Sequence, residues 1–200
     1  DFGTYPASTI DANGDLHMVY SHPTIEKMYY SHETESGWDS SEILSNSNLT
    51  TAPSLWFDGA DMHILYRDSN LDRLERVIKT GSGWTTATEL GSGLAVGLEH
   101  VALQLSTGTP IVATTVNNSS VHQLQILDID NDVTTTLTNV TDASSQLAMC
   151  MDSSNTVVLL SLDSNGVLVT HERNATTEVW SNVSMQRSEE HTSELQSLTN

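Results

Sequence analysis

The chain has few cations. Its 200 residues contain only two lysines and five arginines against 26 acidic residues, for a formal net charge of −19. Such a surface repels polyanions, which argues against a nucleic-acid groove or docking on an anionic membrane. Cysteine is nearly absent too: Cys150 stands alone, so no intrachain disulfide can form. Its place in the apolar stretch from Leu147 to Met151 predicts a buried, inert thiol. No run of 18 apolar residues exists to cross a bilayer as a helix, and no segment reads as a signal peptide. The chain starts at Asp1, not at Met, so the natural N-terminus is expected to lie upstream. Sustained helical periodicity is missing as well, which leaves strands and turns.

What is present is repetition, and a period of this size decides the fold before any motif does. Pro6 to Tyr20 aligns with Pro53 to Tyr66. A spacing of 46 relates His17 to His63, Tyr20 to Tyr66, Met28 to Leu74 and Gly37-Trp38 to Gly83-Trp84. Two further copies are more worn. In this reading Pro110 and Val157 fall where the histidines stood, Asp152 stands five residues before Val157 as Asp58 does before His63, and Trp180 is displaced by two. Each copy reads as short apolar and aromatic runs bounded by turn chemistry, such as Asn13-Gly14, Asp58-Gly59 and Asn165-Gly166. In the first copy the strands fall near Thr9, Leu16 to Tyr20, Lys27 to Ser31 and Glu42 to Leu44. Four strands in about 46 residues make a propeller blade. The predicted fold is all-β: a β-propeller fragment of about four four-stranded antiparallel blades, near 5–46, 52–92, 98–140 and 144–183.

The pattern Asp11-x-x-Gly14-x-x-His17-x-x-Tyr20, with Met28-x-Tyr30 and Gly37-Trp38 downstream, resembles the propeller repeats related to bacterial neuraminidase repeats of secreted or surface microbial proteins. The resemblance covers residues 5 to 183 and implies fold far more specifically than function. It implies a secreted or cell-surface location and a ring of about six to eight blades to which this chain contributes a part, although four blades can also close, as in hemopexin-like propellers. Residues 1–186 are then a partial propeller. From Arg187 to Ser197 the chain resembles the translation of a sequencing-library adapter, so 187–200 is expected to be a non-native tail.

Catalysis of the sialidase type is not predicted. That family's Asp box reads Ser-x-Asp-x-Gly-x-Thr-Trp, whereas the tryptophan turns here read Glu35-Ser-Gly-Trp38 and Gly81-Ser-Gly-Trp84. Its chemistry also needs three arginines converging on a carboxylate, and before the tail only Arg67, Arg73, Arg76 and Arg173 are available. Arg73 and Arg76 are expected on an exposed strand near the blade rim. No metal or cofactor is predicted. His17 and His63 recur as a packing element, and Asp128-Ile-Asp130-Asn-Asp132 lacks the glycine and the glutamate of a calcium loop. Sequons at Asn48, Asn117, Asn118, Asn139, Asn174 and Asn182 agree weakly with export. Propeller geometry places a ligand site on the rim formed by the loops between second and third strands, and His22, Arg67 and Asp68 are the candidate ligand contacts there. The expected function is a non-enzymatic recognition or scaffold module binding carbohydrate or protein. A hydrolase fragment with catalytic residues in other blades, and a structural spacer, remain open.

Overall fold

The computed structural model describes residues 4–22, 27–39, 42–45, 49, 51–91, 93–94, 96–119, 121–129, 133–140, 142 and 146–184. The adapter-like segment, Asn48 and Asp130 to Asp132 lie outside these residues. Every regular element among them is a strand. The first sheet holds β1 (Thr4–Ile10), β2 (Leu16–His22) and β3 (Lys27–Thr34), with an interrupted outer strand made of β4 (Gly37–Trp38) and β5 (Glu42–Ser45). The second repeats this plan with β6 (Ser54–Phe57), β7 (Met62–Asp68), β8 (Arg73–Thr80), β9 (Gly83–Trp84) and β10 (Thr88–Leu90). The third holds β11 (Val96–Gln104), β12 (Pro110–Asn118), β13 (Val121–Asp128) and β14 (Val133–Asn139). The fourth holds β15 (Ala148–Met151), β16 (Val157–Leu162), β17 (Leu168–Arg173) and β18 (Trp180–Ser184). All pairings are antiparallel and follow chain order outward from the first strand. First strands touch in series, β1 with β6, β6 with β11 and β11 with β15, so they line a common axis as the inner edges of four propeller blades.

Burial alternates along β2 and β16, whose sheets have a described neighbour on one face, whereas β7 and most of β12, between two neighbours, are buried throughout. In β2 the buried residues His17, Val19 and Ser21 face the second sheet, and Leu16, Met18 and Tyr20 face away. Three cores result. Val19, Met28 and Tyr30 pack on Met62, Ile64, Tyr66 and Val77. Trp56, Leu65, Leu74 and Leu90 pack on Val96, Val112 and Leu127. Ile111, Ala113, Leu124 and Ile126 pack on Val157 and Leu159.

These faces correct the register of the two worn repeats. Strand two begins at Leu16, Met62, Pro110 and Val157, each opposite the last residue of strand one. Pro110 and Val157 therefore match Leu16 and Met62, not the histidines, whose counterparts are Ile111 and Val158. The turns explain the slip. Asp11 closes a five-residue turn, donating its amide to the Asp15 carbonyl while its Oδ1 accepts the amides of Asn13 and Asp15. Asp152 repeats this with Ser154 and Thr156. Asp58 closes a turn one residue shorter, at Asp61. Counting from Asp58 thus moves the fourth copy by one position, and in a strand one position exchanges the two faces. The same alternation exposes Cys150. Met149 and Met151 pack on the third sheet and Cys150 points the other way, so the thiol is not buried.

Candidate functional site

The predicted rim is built differently from expectation. His22 ends β2, half-buried, with its ring 6.4 Å from that of Tyr29. Arg67 and Asp68 are not loop residues: both lie in β7 and both are buried. The Arg67 guanidinium pairs with Asp72, and the Asp68 carboxylate accepts the amides of Asn70 and Leu71, closing the turn to β8. Behind them, His100 is buried, and loss of hydration pushes its imidazole down to about 4, with the Arg67 charge acting in the same direction. Arg73 binds Glu75 and Glu89. Arg67, Arg73 and Arg173 are thus each held by a carboxylate of their own and do not converge on one point.

Sheet four contains a constellation with the geometry of a hydrolytic triad. Ser161 Oγ lies 3.0 Å from His171 Nε2, and His171 Nδ1 lies 2.7 Å from Asn182 Oδ1. Nucleophile, base and orienting group are in the right order. Burial decides against that chemistry, because Ser161 is 1% exposed and His171 0%. The chain of hydrogen bonds satisfies polar groups inside the blade interface, which is what buried polar groups require.

An open site does exist, at the opposite end of the blades from the predicted rim, between sheets three and four. A pocket of about 170 Å³ is lined by Leu105, Ile111, Ile126, Asp128, Arg173 and Trp180, with Thr109, Thr135 and Glu178 at its edges. A shallower groove of about 490 Å³ continues past Trp180 along Thr135, Thr136 and Asn182. Trp180 lies directly across from Arg173 in the β17–β18 pairing. The connecting turn is held by Asn174, whose Oδ1 accepts the amides of Thr176 and Thr177, and it carries Glu178 at φ +60°. That conformation brings Glu178 Oε1 to 3.4 Å from Arg173 Nη2, with Glu178 70% exposed and Arg173 mostly buried. The result is one aromatic face beside a paired cation and anion, open to solvent.

The corrected register shows why the groove opens here and not between the first two sheets. Lys79 lies opposite Trp84 as Arg173 lies opposite Trp180. Across the interface, His17, Tyr30 and His32 occupy the places of Ile111, Ile126 and Asp128. There the space is filled from within: Tyr30 is fully buried, its ring is 5.0 Å from Trp84, and Lys79 Nζ lies 4.8 Å above it. His17 and His32 stack at 5.6 Å beside it. Smaller residues on sheet three leave that volume empty. Sequence reasoning missed the site because the third and fourth copies were one residue out of register. The signal that could have found it is the repeated pairing of a cation with the tryptophan across the outer hairpin.

Among the described residues no cluster of three or more His, Cys, Asp or Glu is placed to hold a metal ion. Among the same residues no helix is long and apolar enough to cross a membrane.

No protein-family description matches the chain, and no curated protein does. Solved structures do. The chain is similar to SapL1 lectin in complex with alpha methyl fucoside (TM-score 0.62, 13% identity), covering 92% of this chain and 63% of the lectin. It is similar to the exo-beta-1,3-galactanase of Phanerochaete chrysosporium (TM-score 0.58, 11% identity), covering 92% of this chain and 50% of the enzyme. It is also similar to the Hadza microbial sialidase Hz136 (TM-score 0.59, 12% identity), covering 92% of this chain and 46% of that one. At these identities the likeness establishes the β-propeller fold, and the chain spans less than two thirds of the length of each of these three proteins.

Proposed function

We propose that the chain is a carbohydrate-recognition module that holds a neutral sugar ring in the groove between sheets three and four. The observation that carries this reading is Trp180, partly buried on the core and lining an open pocket beside the Arg173–Glu178 pair. An indole face takes the apolar C–H face of a pyranose, and Arg173, Glu178, Asp128 and Thr135 offer donors and acceptors for its hydroxyls. Acidic groups outnumber the single arginine here, and the whole chain is strongly negative, so a neutral ring is favoured over a sialic or uronic acid. The first pocket is smaller than the ~300–1,000 Å³ of a drug-sized site, which suits one ring, with the shallower groove taking a second. Lectin and glycosidase propellers among the structural neighbours support the ligand class.

Around this site, residues 1–186 form part of a larger propeller of a secreted or cell-surface protein, and 187–200 are a tail foreign to its native sequence. His22, Arg67 and Asp68 shape a second, stiff rim that contacts a protein or glycan partner. A second reading, a hydrolase fragment with its catalytic carboxylates in other blades, is supported by the galactanase and sialidase neighbours being about twice as long as the stretch they share with this chain. The deciding measurement is a glycan array followed by calorimetry with wild type, Trp180→Ala and Arg173→Ala. Neutral-sugar binding weakened at least about tenfold by each substitution is expected, given ~1–3 kcal/mol for a stacking contact or a charged hydrogen bond. Binding untouched by both substitutions, or confined to acidic sugars, overturns the reading.

A further inference from the structure

The groove between sheets three and four has three sections in series. Glu178 lines all three, Arg173 is shared by the inner two and Trp180 by the outer two. The innermost section lies beside the turns that leave the axial strands, between Ser106 and Thr107 of the β11–β12 turn and Asn155 of the β15–β16 turn, with Ala175 at its edge. The middle section is the Trp180 pocket, and the outer one runs between β14 and β18. Their volumes are about 30, 170 and 490 Å³, so the groove widens steadily from axis to rim. The inner volume equals one water molecule's share of the liquid, ~30 Å³, and no sugar ring fits there. Its walls are nonetheless polar. Two hydroxyls, an amide and the Arg173–Glu178 pair converge on a space that holds a single small group.

Resting on the sugar-binding reading above, we propose that the groove reads a chain end. The terminal ring of a neutral glycan lies in the middle pocket against Trp180, sends one hydroxyl into the inner niche, and the rest of the glycan leaves outward past Trp180. A ring cannot continue toward the axis, so a unit bonded on both sides is refused. In a glycan joined to a carrier the reducing end is taken up by that bond, so the end that enters is the non-reducing one. The hydroxyl gives specificity because Arg173 is mostly buried and the niche is already polar. A terminal unit without that hydroxyl leaves these groups unpaired, and one carrying a methyl ether there is too large. The outer groove is shallow and open, so units beyond the first add little.

Calorimetry with the methyl glycosides of glucose, galactose and mannose, and with their mono-O-methyl and monodeoxy derivatives, tests this on the intact chain. For the glycoside that binds best, modification of one hydroxyl is expected to weaken binding about tenfold or more, the loss of a charged hydrogen bond. A second sugar on its anomeric carbon should be tolerated or strengthen binding a few-fold. Ala175 is exposed in the turn, and Ala175→Leu fills the niche from there, so the same glycoside should bind that variant about tenfold more weakly. Thr107→Ala enlarges the niche and should recover binding of the excluded methyl ether, a gain that damage to the fold would not produce. Binding that needs Trp180 but accepts a methyl ether at every hydroxyl, or is indifferent to Ala175→Leu, overturns the proposal and leaves the sugar-binding reading standing. If none of these glycosides binds, both fall.

Discussion

Ile126 on β13 and Tyr30 on β3 hold the same place in their blades, and the difference in their bulk decides whether a groove opens beside the facing tryptophan. Tyr30 fills its interface against Trp84, whereas Ile126 leaves the wall next to Trp180 uncovered. Ile126→Tyr should therefore transplant the closed arrangement. The expected result is loss of ligand binding at the Trp180 groove with the fold intact, measured by calorimetry beside thermal unfolding. Because the extra ring enters existing space, the stability change stays within about 1.5 kcal/mol. Retained binding would mean that the ligand does not enter this pocket.

His100 makes stability depend on pH in a definite direction. Burial lowers its imidazole from 6.5 to about 4, so between those values the unfolded chain binds a proton that the folded chain does not. The contribution is fully present above pH 6.5, falls as the pH drops toward 4 and is constant below that. Its full size is on the order of 3 kcal/mol. His17 and His171, also lowered chiefly by burial, add to the same slope. Urea titrations at a series of pH values should show stability falling from pH 7 to 4, and His100→Gln should flatten part of that decline. An equal slope in the variant would remove His100 as its source.

Gly91 connects the second sheet to the third at φ +62°, and a methyl group there would meet Leu94 Cδ1 at 2.6 Å and Leu127 Cδ2 at 2.7 Å. Both the backbone and the space exclude a side chain. Gly91→Ala is expected to lower stability by about 1–3 kcal/mol in denaturant titration, from strain and overpacking together. A neutral result would mean that this connection relaxes freely.

Cys150 lies on the outward face of β15 and is exposed. A disulfide reagent should label it in the native protein without denaturant, at a rate near that of the unfolded chain. Labelling that requires unfolding would return the thiol to the interior.

Blade number, strand order and the histidine–tyrosine register of the first two repeats were legible in the sequence, because apolar alternation and a constant spacing of 46 act over short distances. The faces of repeats three and four were not. Their register depends on whether the turn between first and second strands has four or five residues, a matter of one backbone hydrogen bond: Asp58 and Asp152 look alike in sequence yet close turns of different length, and in repeat three Leu105 closes a five-residue turn with no aspartate to mark it. The placement of Arg67 and Asp68 failed for a related reason: β7 runs on to Asp68, so the turn begins later than its polar residues suggest. The Ser161–His171–Asn182 chain was also invisible, since it joins three strands whose pairing the sequence does not state.

Stacking in series has a consequence for how the molecule comes apart. Each sheet gains its buried area from immediate neighbours alone, so the free energy of the array is close to a sum of blade and interface terms, as in a one-dimensional chain of coupled units. Sheets two and three are clamped on both sides, and the amide of Ala102 adds a cross-link by donating to Ser54 Oγ at 3.1 Å. Among the described residues, sheets one and four have a neighbour on one side only. Unzipping therefore starts at the ends, and slow hydrogen exchange should survive longest in β7 and β12. A ring closed by a further partner would abolish those ends and convert a gradual fraying into a single cooperative transition.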